Sequence, residues 1–211
     1  MSCYSKLIKM DLYNCPSIRA SFLFLILVSF CGFGSEPAAA SAGPSISSVR
    51  GVDLFSGAEL KLEFPKTRST VVVFLSATCP CSDSHIVEIK ALHQDFPEFD
   101  FVGIHSNSNE KKLPTQTYFQ NLKLPFSVIR DREAQIADLF KASKTPHAFV
   151  ISATGQILYR GGVSSSSRFH DKVERKFLRE ALEDLKAARP VRVAEGRTLG
   201  CAISRGEKNE W

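Results

Sequence analysis

Val71-Val-Val-Phe-Leu-Ser-Ala-Thr-Cys79-Pro-Cys81-Ser-Asp-Ser-His85 is the stretch on which the fold of this 211-residue chain turns. Val71 to Leu75 is a run of β-favouring residues without the alternation of a half-exposed strand, which predicts a strand buried on both faces. Thr78-Cys79-Pro80 ends it, and a proline suits the first turn of a helix, where its missing N–H costs nothing. A cysteine is thereby set where a buried strand stops and a helix starts. The positive end of a helix favours a thiolate over a thiol, so Cys79 is the first candidate for chemistry.

Working outward, Ile86, Ile89, Leu92 and Phe96 recur at helical spacing, and Phe99 to His105 is a second apolar run. Strand, helix and strand with a short return form a parallel pair with a right-handed crossover. Further on, a helix is expected over Pro114 to Leu122, a short strand over Phe126 to Ile129 and a helix over Glu133 to Ala142. His147 to Ser152, a turn at 153–156 and Ile157 to Arg160 read as an antiparallel hairpin. Lys172 to Ala188 reads as an amphipathic helix with Val173, Phe177, Leu178, Ala181, Leu182 and Leu185 inward. Before the first buried strand, Val49 to Phe55 and Ala58 to Phe64 form a hairpin around Ser56-Gly57. The order is an N-terminal hairpin, then βαβ, an insertion, α, ββ and α. Gly161-Gly162 and Ser164 to Ser167 read as a solvated, flexible loop.

Composition bounds the class. With 44% apolar and 23% charged residues the chain is an ordinary globular protein of one domain, not a disordered or multi-span membrane protein. The formal charge of +5 is scattered among acidic residues, with no basic stripe, which argues against nucleic acid as a partner. No phosphate loop, Rossmann glycine pattern or paired catalytic carboxylates occur.

The N-terminus sets the expected compartment. Lys6, Lys9 and Arg19 precede the apolar run Phe22 to Phe33, and Ala38-Ala-Ala-Ser-Ala42 follows. That reads as a secretory signal peptide over 1–42, with cleavage after Ala40 or Ala42 and Met10 as an alternative start. Removing it leaves 24 basic and 20 acidic residues, a charge of +4. A lipid anchor at Cys31 is disfavoured by Phe30, where a small residue belongs, and an uncleaved leader is the remaining tie to a membrane. A periplasmic or secreted location is expected. Domain boundaries follow: linker 43–48, domain 49–188, and an extended tail 189–211. Of six cysteines, only Cys79, Cys81 and Cys201 remain after the leader. An odd count, with two of them one residue apart, favours working thiols over structural staples.

The order of elements, the strand ending at a cysteine turn and the Thr145-Pro146 pair before a late strand together resemble the thioredoxin superfamily, over roughly 49–188. The segment Ser152-Ala-Thr-Gly155-Gln-Ile-Leu-Tyr159-Arg-Gly161 resembles the extracytoplasmic redoxins related to alkyl hydroperoxide reductase and thiol-specific antioxidant. Pro190-Val191 and Gly200-Cys201-Ala-Ile203 match the tail of some of those redoxins. The resemblance implies an α/β thioredoxin fold, a central mixed sheet flanked by helices, and thiol-disulfide exchange with Cys79 as nucleophile. It also implies a cis-proline at Pro146, with Thr145 lining the substrate groove.

Thioredoxins carry Cys-x-x-Cys, and here Ser82 stands at the second cysteine position. Resolution then falls to Cys81 or to Cys201, which is either redox-active or a structural staple. No cofactor is required, the substrate is a protein or small-molecule disulfide or thiol, and the electron donor is unidentified. Two alternatives stand beside this. Ser76-Ala-Thr-Cys79 echoes the Thr/Ser-x-x-Cys of peroxiredoxins, implying a thiol peroxidase. Cys79 and Cys81, with His85 or His147, have the character of soft-metal ligands, implying a copper-binding or copper-delivering protein. The commoner reading of His147 is a surface histidine beside a groove.

Overall fold

The computed structural model describes residues 45–64, 66–170 and 175–206. The leader expected over 1–42 and the chain end after 206 lie outside the described residues, as does Val173. Among the described residues no helix is long and apolar enough to cross a membrane.

The elements in chain order are β1 (Ser48–Asp53), β2 (Glu59–Glu63), β3 (Thr70–Leu75), α1 (Pro80–Asp95), β4 (Asp100–His105), α2 (Lys112–Leu122) and β5 (Val128–Arg130). A short 3-10 turn (Arg132–Ala134) then leads into α3 (Gln135–Phe140). The rest are β6 (Lys144–Thr145), β7 (His147–Ile151), β8 (Ile157–Gly161), α4 (Phe177–Lys186) and β9 (Cys201–Ala202). Seven strands form one sheet in the order β2-β1-β5-β4-β3-β7-β8, and β6 pairs with β9 in a small second sheet. β3, β4 and β5 run parallel, while β7 lies antiparallel to β3. This is the mixed sheet of the thioredoxin fold.

The sheet is covered on both faces, which explains the unbroken apolar run of β3. Val71, Val73 and Leu75 pack with Ile89, Leu92, Leu178 and Leu182 on the side of α1 and α4. Val72 and Phe74 pack with Ile104, Ile136, Phe140 and Phe149 on the other. Alternate side chains of one strand thus enter two different cores. Arg179 clamps α4 to α1 through Glu88, at 2.7 Å, and Asp95, at 2.8 Å.

Several expectations are corrected. The helix predicted from Glu133 begins at Gln135, because the buried Asp131 carboxylate accepts the N–H groups of Ile136 and Ala137 at 2.9 Å and fixes the start there. The last helix begins at Phe177, after Arg175 has been tied to Ser165 through both its N–H and its carbonyl. The glycine-serine loop is not solvated at its start: Gly162, Val163 and Ser164 are buried. Contacts begin within the segment read as linker, since Ile46 is buried and its N–H donates to the Gly155 carbonyl.

Candidate active site

β3, next to the central β4, delivers the site, and the loop after it is braced first by its own polar groups. Ser76 Oγ accepts the N–H of Cys79 at 3.0 Å, while the Ser76 N–H donates to Ser82 Oγ at 3.1 Å. Cys79 is the N-cap of α1, with Pro80 following in the first turn. The N–H of Ser82 points at Cys79 Sγ from 3.4 Å. A thiolate at Cys79 would therefore meet a backbone donor and the positive end of a sixteen-residue helix. Ser82, wholly buried, takes the place of the usual second cysteine and serves as the brace of the loop.

A second brace comes from a residue the sequence does not advertise. Glu110 is buried and its carboxylate accepts from Ser76 Oγ, from the Ala77 N–H at 2.8 Å and from Thr78 Oγ1 at 3.2 Å. Asn107 Nδ2 donates to the same carboxylate at 2.8 Å, and Asn107 Oδ1 accepts the N–H of Ser204 in the tail at 2.8 Å. One carboxylate and one amide thereby link the cysteine loop to the tail just beyond Cys201 and Ala202. Glu110 lies in a polar loop with no periodicity to mark it, so sequence reasoning passes over it.

Across from Cys79 stands the Thr145-Pro146 peptide bond, which is cis. The Thr145 carbonyl oxygen lies 3.2 Å from Cys79 Sγ. β9 runs antiparallel along β6, placing Cys201 opposite Thr145. Cys79 and Cys201 form a disulfide, with Cα atoms 5.9 Å apart and a sequence separation of 122. Cys81 is a free, half-buried thiol. The sulfurs of all three cysteines lie within 4.8 Å of one another. In this state Cys79 is not an exposed nucleophile: it is 2% exposed, covered by the tail.

The tail is held by more than its sulfur. Ile203 is buried in the core with Phe140 and Ala142, and its N–H donates to the Ser143 carbonyl at 3.0 Å. Arg205 reaches Asp138 at 2.7 Å and also donates to the Ala142 carbonyl. Upstream, the Arg160 guanidinium meets Glu195 at 2.6 Å, and Asp184 accepts from both Arg189 and Arg192.

The two histidines proposed as metal ligands do not join the sulfurs. His85 is buried; its Nδ1 donates to the Cys81 carbonyl at 2.7 Å, which leaves Nε2 to accept from Ser164 Oγ at 2.8 Å. Burial holds its pKa below the ordinary histidine value, against the opposing effects of that carbonyl and of Glu88. His147, read as a surface histidine, is buried against Phe149, with ring centroids 4.5 Å apart. Its pKa is pushed down to about 4, first by burial and then by the charges of Arg160 and Lys144.

Residues 52–160, more than half the chain, match the AhpC/TSA family. The chain belongs to the AhpC/TSA family. The AhpC/TSA match takes in Cys79, Cys81 and the cis-proline loop and ends before Cys201, so the tail cysteine lies outside the matched region. Among solved structures, this AhpC/TSA protein resembles an uncharacterised conserved protein of Geobacillus kaustophilus, with a TM-score of 0.70, 22% identity and coverage of 80% of this chain and 94% of that one. It also resembles a hypothetical protein of Sinorhizobium meliloti, with a TM-score of 0.69, 19% identity and coverage of 81% and 97%. A peroxidoxin of Mycobacterium tuberculosis matches with a TM-score of 0.54, 18% identity and coverage of 70% and 97%. These likenesses speak to the fold alone. No curated protein matches the chain in sequence.

Proposed function

We infer that this AhpC/TSA protein is an extracytoplasmic thiol-disulfide oxidoreductase whose working pair is Cys79 and Cys201. The observation that carries the reading is the disulfide joining the N-cap cysteine of α1 to the tail cysteine beside the cis Thr145-Pro146 bond. In the reducing direction, the Cys79 thiolate attacks one sulfur of a substrate disulfide. The substrate S–S bond breaks, its second sulfur leaves as a thiolate, and a mixed disulfide forms on Cys79. The Cys201 thiolate then attacks Cys79 Sγ and expels the remaining substrate sulfur. Two electrons pass from the cysteine pair to the substrate, each departing thiolate takes up a proton from solvent, and Cys79–Cys201 is closed. Run backwards, the same steps oxidise a dithiol.

The Ser82 N–H and the helix end stabilise Cys79 as the anion in both its attacking and its leaving roles. Cys81, whose sulfur lies within 4.8 Å of the other two, is the second candidate to resolve the mixed disulfide. The leader-like N-terminus supports an extracytoplasmic location, and a Cys79–Cys201 disulfide is consistent with it, since disulfides persist in oxidising compartments. Turnover of a disulfide substrate is the test: Cys79→Ser should abolish it, and Cys201→Ser should halt it at a Cys79 mixed disulfide. Unchanged turnover in Cys79→Ser would sink the reading.

A peroxidase reading is favoured by one observation, the Ser76 and Thr78 hydroxyls flanking Cys79 in a loop fixed by Glu110. In that chemistry Cys79 takes one peroxide oxygen as a sulfenic acid, releasing an alcohol or water. Cys201 condenses with it to the same disulfide, releasing water. Consumption of peroxide at the expense of an added dithiol, lost in Cys79→Ser, distinguishes it from disulfide exchange.

A further inference from the structure

We propose that the reduced protein binds one Cu(I) ion between the sulfurs of Cys79, Cys81 and Cys201. The three Sγ atoms already lie within 4.8 Å of one another. Three thiolates ~2.3 Å from a common ion in a trigonal plane stand ~4 Å apart, so small side-chain rotations after the Cys79–Cys201 bond opens complete the site. Each sulfur is fixed by a different device. Cys79 is the N-cap of α1, Cys81 sits in its first turn, and Cys201 is held by pairing with Thr145. Ile203 and Arg205 keep the tail docked without any help from the disulfide.

The donor set selects the ion. All three ligands are soft sulfurs, which suit Cu(I), whereas a structural Zn(II) site takes four ligands. Among the described residues no histidine or carboxylate joins the group. Both ring nitrogens of His85 are engaged elsewhere, with the Cys81 carbonyl and Ser164. The half-buried Cys81 and Cys201 leave the cluster an approach from solvent. The ion and the disulfide exclude each other, since closing Cys79–Cys201 spends the electrons of two of the three ligands on a bond. This goes beyond the disulfide-exchange reading, because it needs the three sulfurs and no turnover.

The experiment is an anaerobic titration of the full-length chain, with Cys3, Cys15 and Cys31 replaced by serine so that copper on those thiols is not counted. Phosphine-reduced protein competes for Cu(I) with a chromophoric chelator. One Cu(I) per reduced chain is expected, none for the oxidised chain, and a sulfur-only shell in X-ray absorption. Cys81→Ser and Cys201→Ser should each weaken binding by at least about tenfold, the cost of disturbing even an outer-shell partner of a metal. Circular dichroism melting confirms that each variant is folded. Copper left wholly with the chelator by the reduced protein, wild-type affinity in Cys81→Ser, or nitrogen in the metal shell would overturn the proposal. None of these outcomes bears on disulfide turnover.

Discussion

Gly200 lies so close to Thr145 that a β-carbon added to it would stand 2.0 Å from the Thr145 carbonyl oxygen. The neighbour in the way is backbone, and it belongs to the residue that precedes the cis-proline. Any side chain at this position must push β9 off β6 and carry Cys201 away from Cys79. Gly200→Ala is therefore expected to leave the domain folded while slowing closure of the Cys79–Cys201 bond by about tenfold or more, since a 1.4 kcal/mol misfit already has that effect. Rapid-quench alkylation after oxidant addition measures it.

Ser82 makes a different prediction, because its hydroxyl is the acceptor for a buried backbone N–H. Ser82→Ala leaves that donor unsatisfied and should cost about 1–3 kcal/mol in a denaturant melt. Ser82→Cys restores a Cys-x-x-Cys spacing, and peptide mapping should then find Cys79 shared between position 82 and Cys201. Exclusive pairing with Cys201 would show that the tail outcompetes a neighbouring thiol.

Reduction should destabilise the protein without detaching the tail. Closing a loop across 122 residues stabilises by about 5 kcal/mol on the chain-entropy account. Urea melts with and without reductant read this difference. Amide exchange at Ile203 and Ser204 should stay protected in the reduced form, since their N–H groups bond to Ser143 and Asn107.

His147 gives a pH signature. Its folded pKa of about 4 lies below the usual 6.5, so as pH falls the unfolded chain takes up the proton first. Stability is unaffected above pH 6.5, falls between there and about pH 4, and levels off once the folded form is protonated too. The loss from this residue is on the order of 3 kcal/mol. His147→Phe keeps a ring against Phe149 and removes the titrating nitrogens, so its stability should vary less with pH over that window. The difference between the two melting profiles isolates His147 from His85, whose burial acts in the same direction.

Much of this architecture is written in local pattern. The buried run Val71 to Leu75 and the helical spacing of Ile86, Ile89 and Leu92 are periodic signals of elements whose faces are covered, and each became the element it predicts. Thr145-Pro146 and the Gly200-Cys201 pair are not marked by local pattern and were readable only through the resemblance to thioredoxins and redoxins. Glu110 was not, since what matters is its distance from Ser76 across 34 residues of sequence, and distance leaves no period. The burial of Ser164 and His147 escaped for a related reason: polar residues look solvated until the partner that covers them is known. The same is true of His85, whose spacing from Cys81 places it near the cysteine, while its ring is claimed by a carbonyl and a serine.

The placement of Ser82 has a last consequence. Where two redox cysteines are three residues apart, gaining or losing electrons leaves the path of the chain unaltered. Here the second sulfur lies 122 residues away, and the bond ties the start of one helix to a segment far downstream in the chain. Each two-electron exchange is then also a change of topology, from a closed ring to an open thread. The redox state becomes something a protease, a pulling force or a carboxyl-terminal label can read directly from whether the ring is shut.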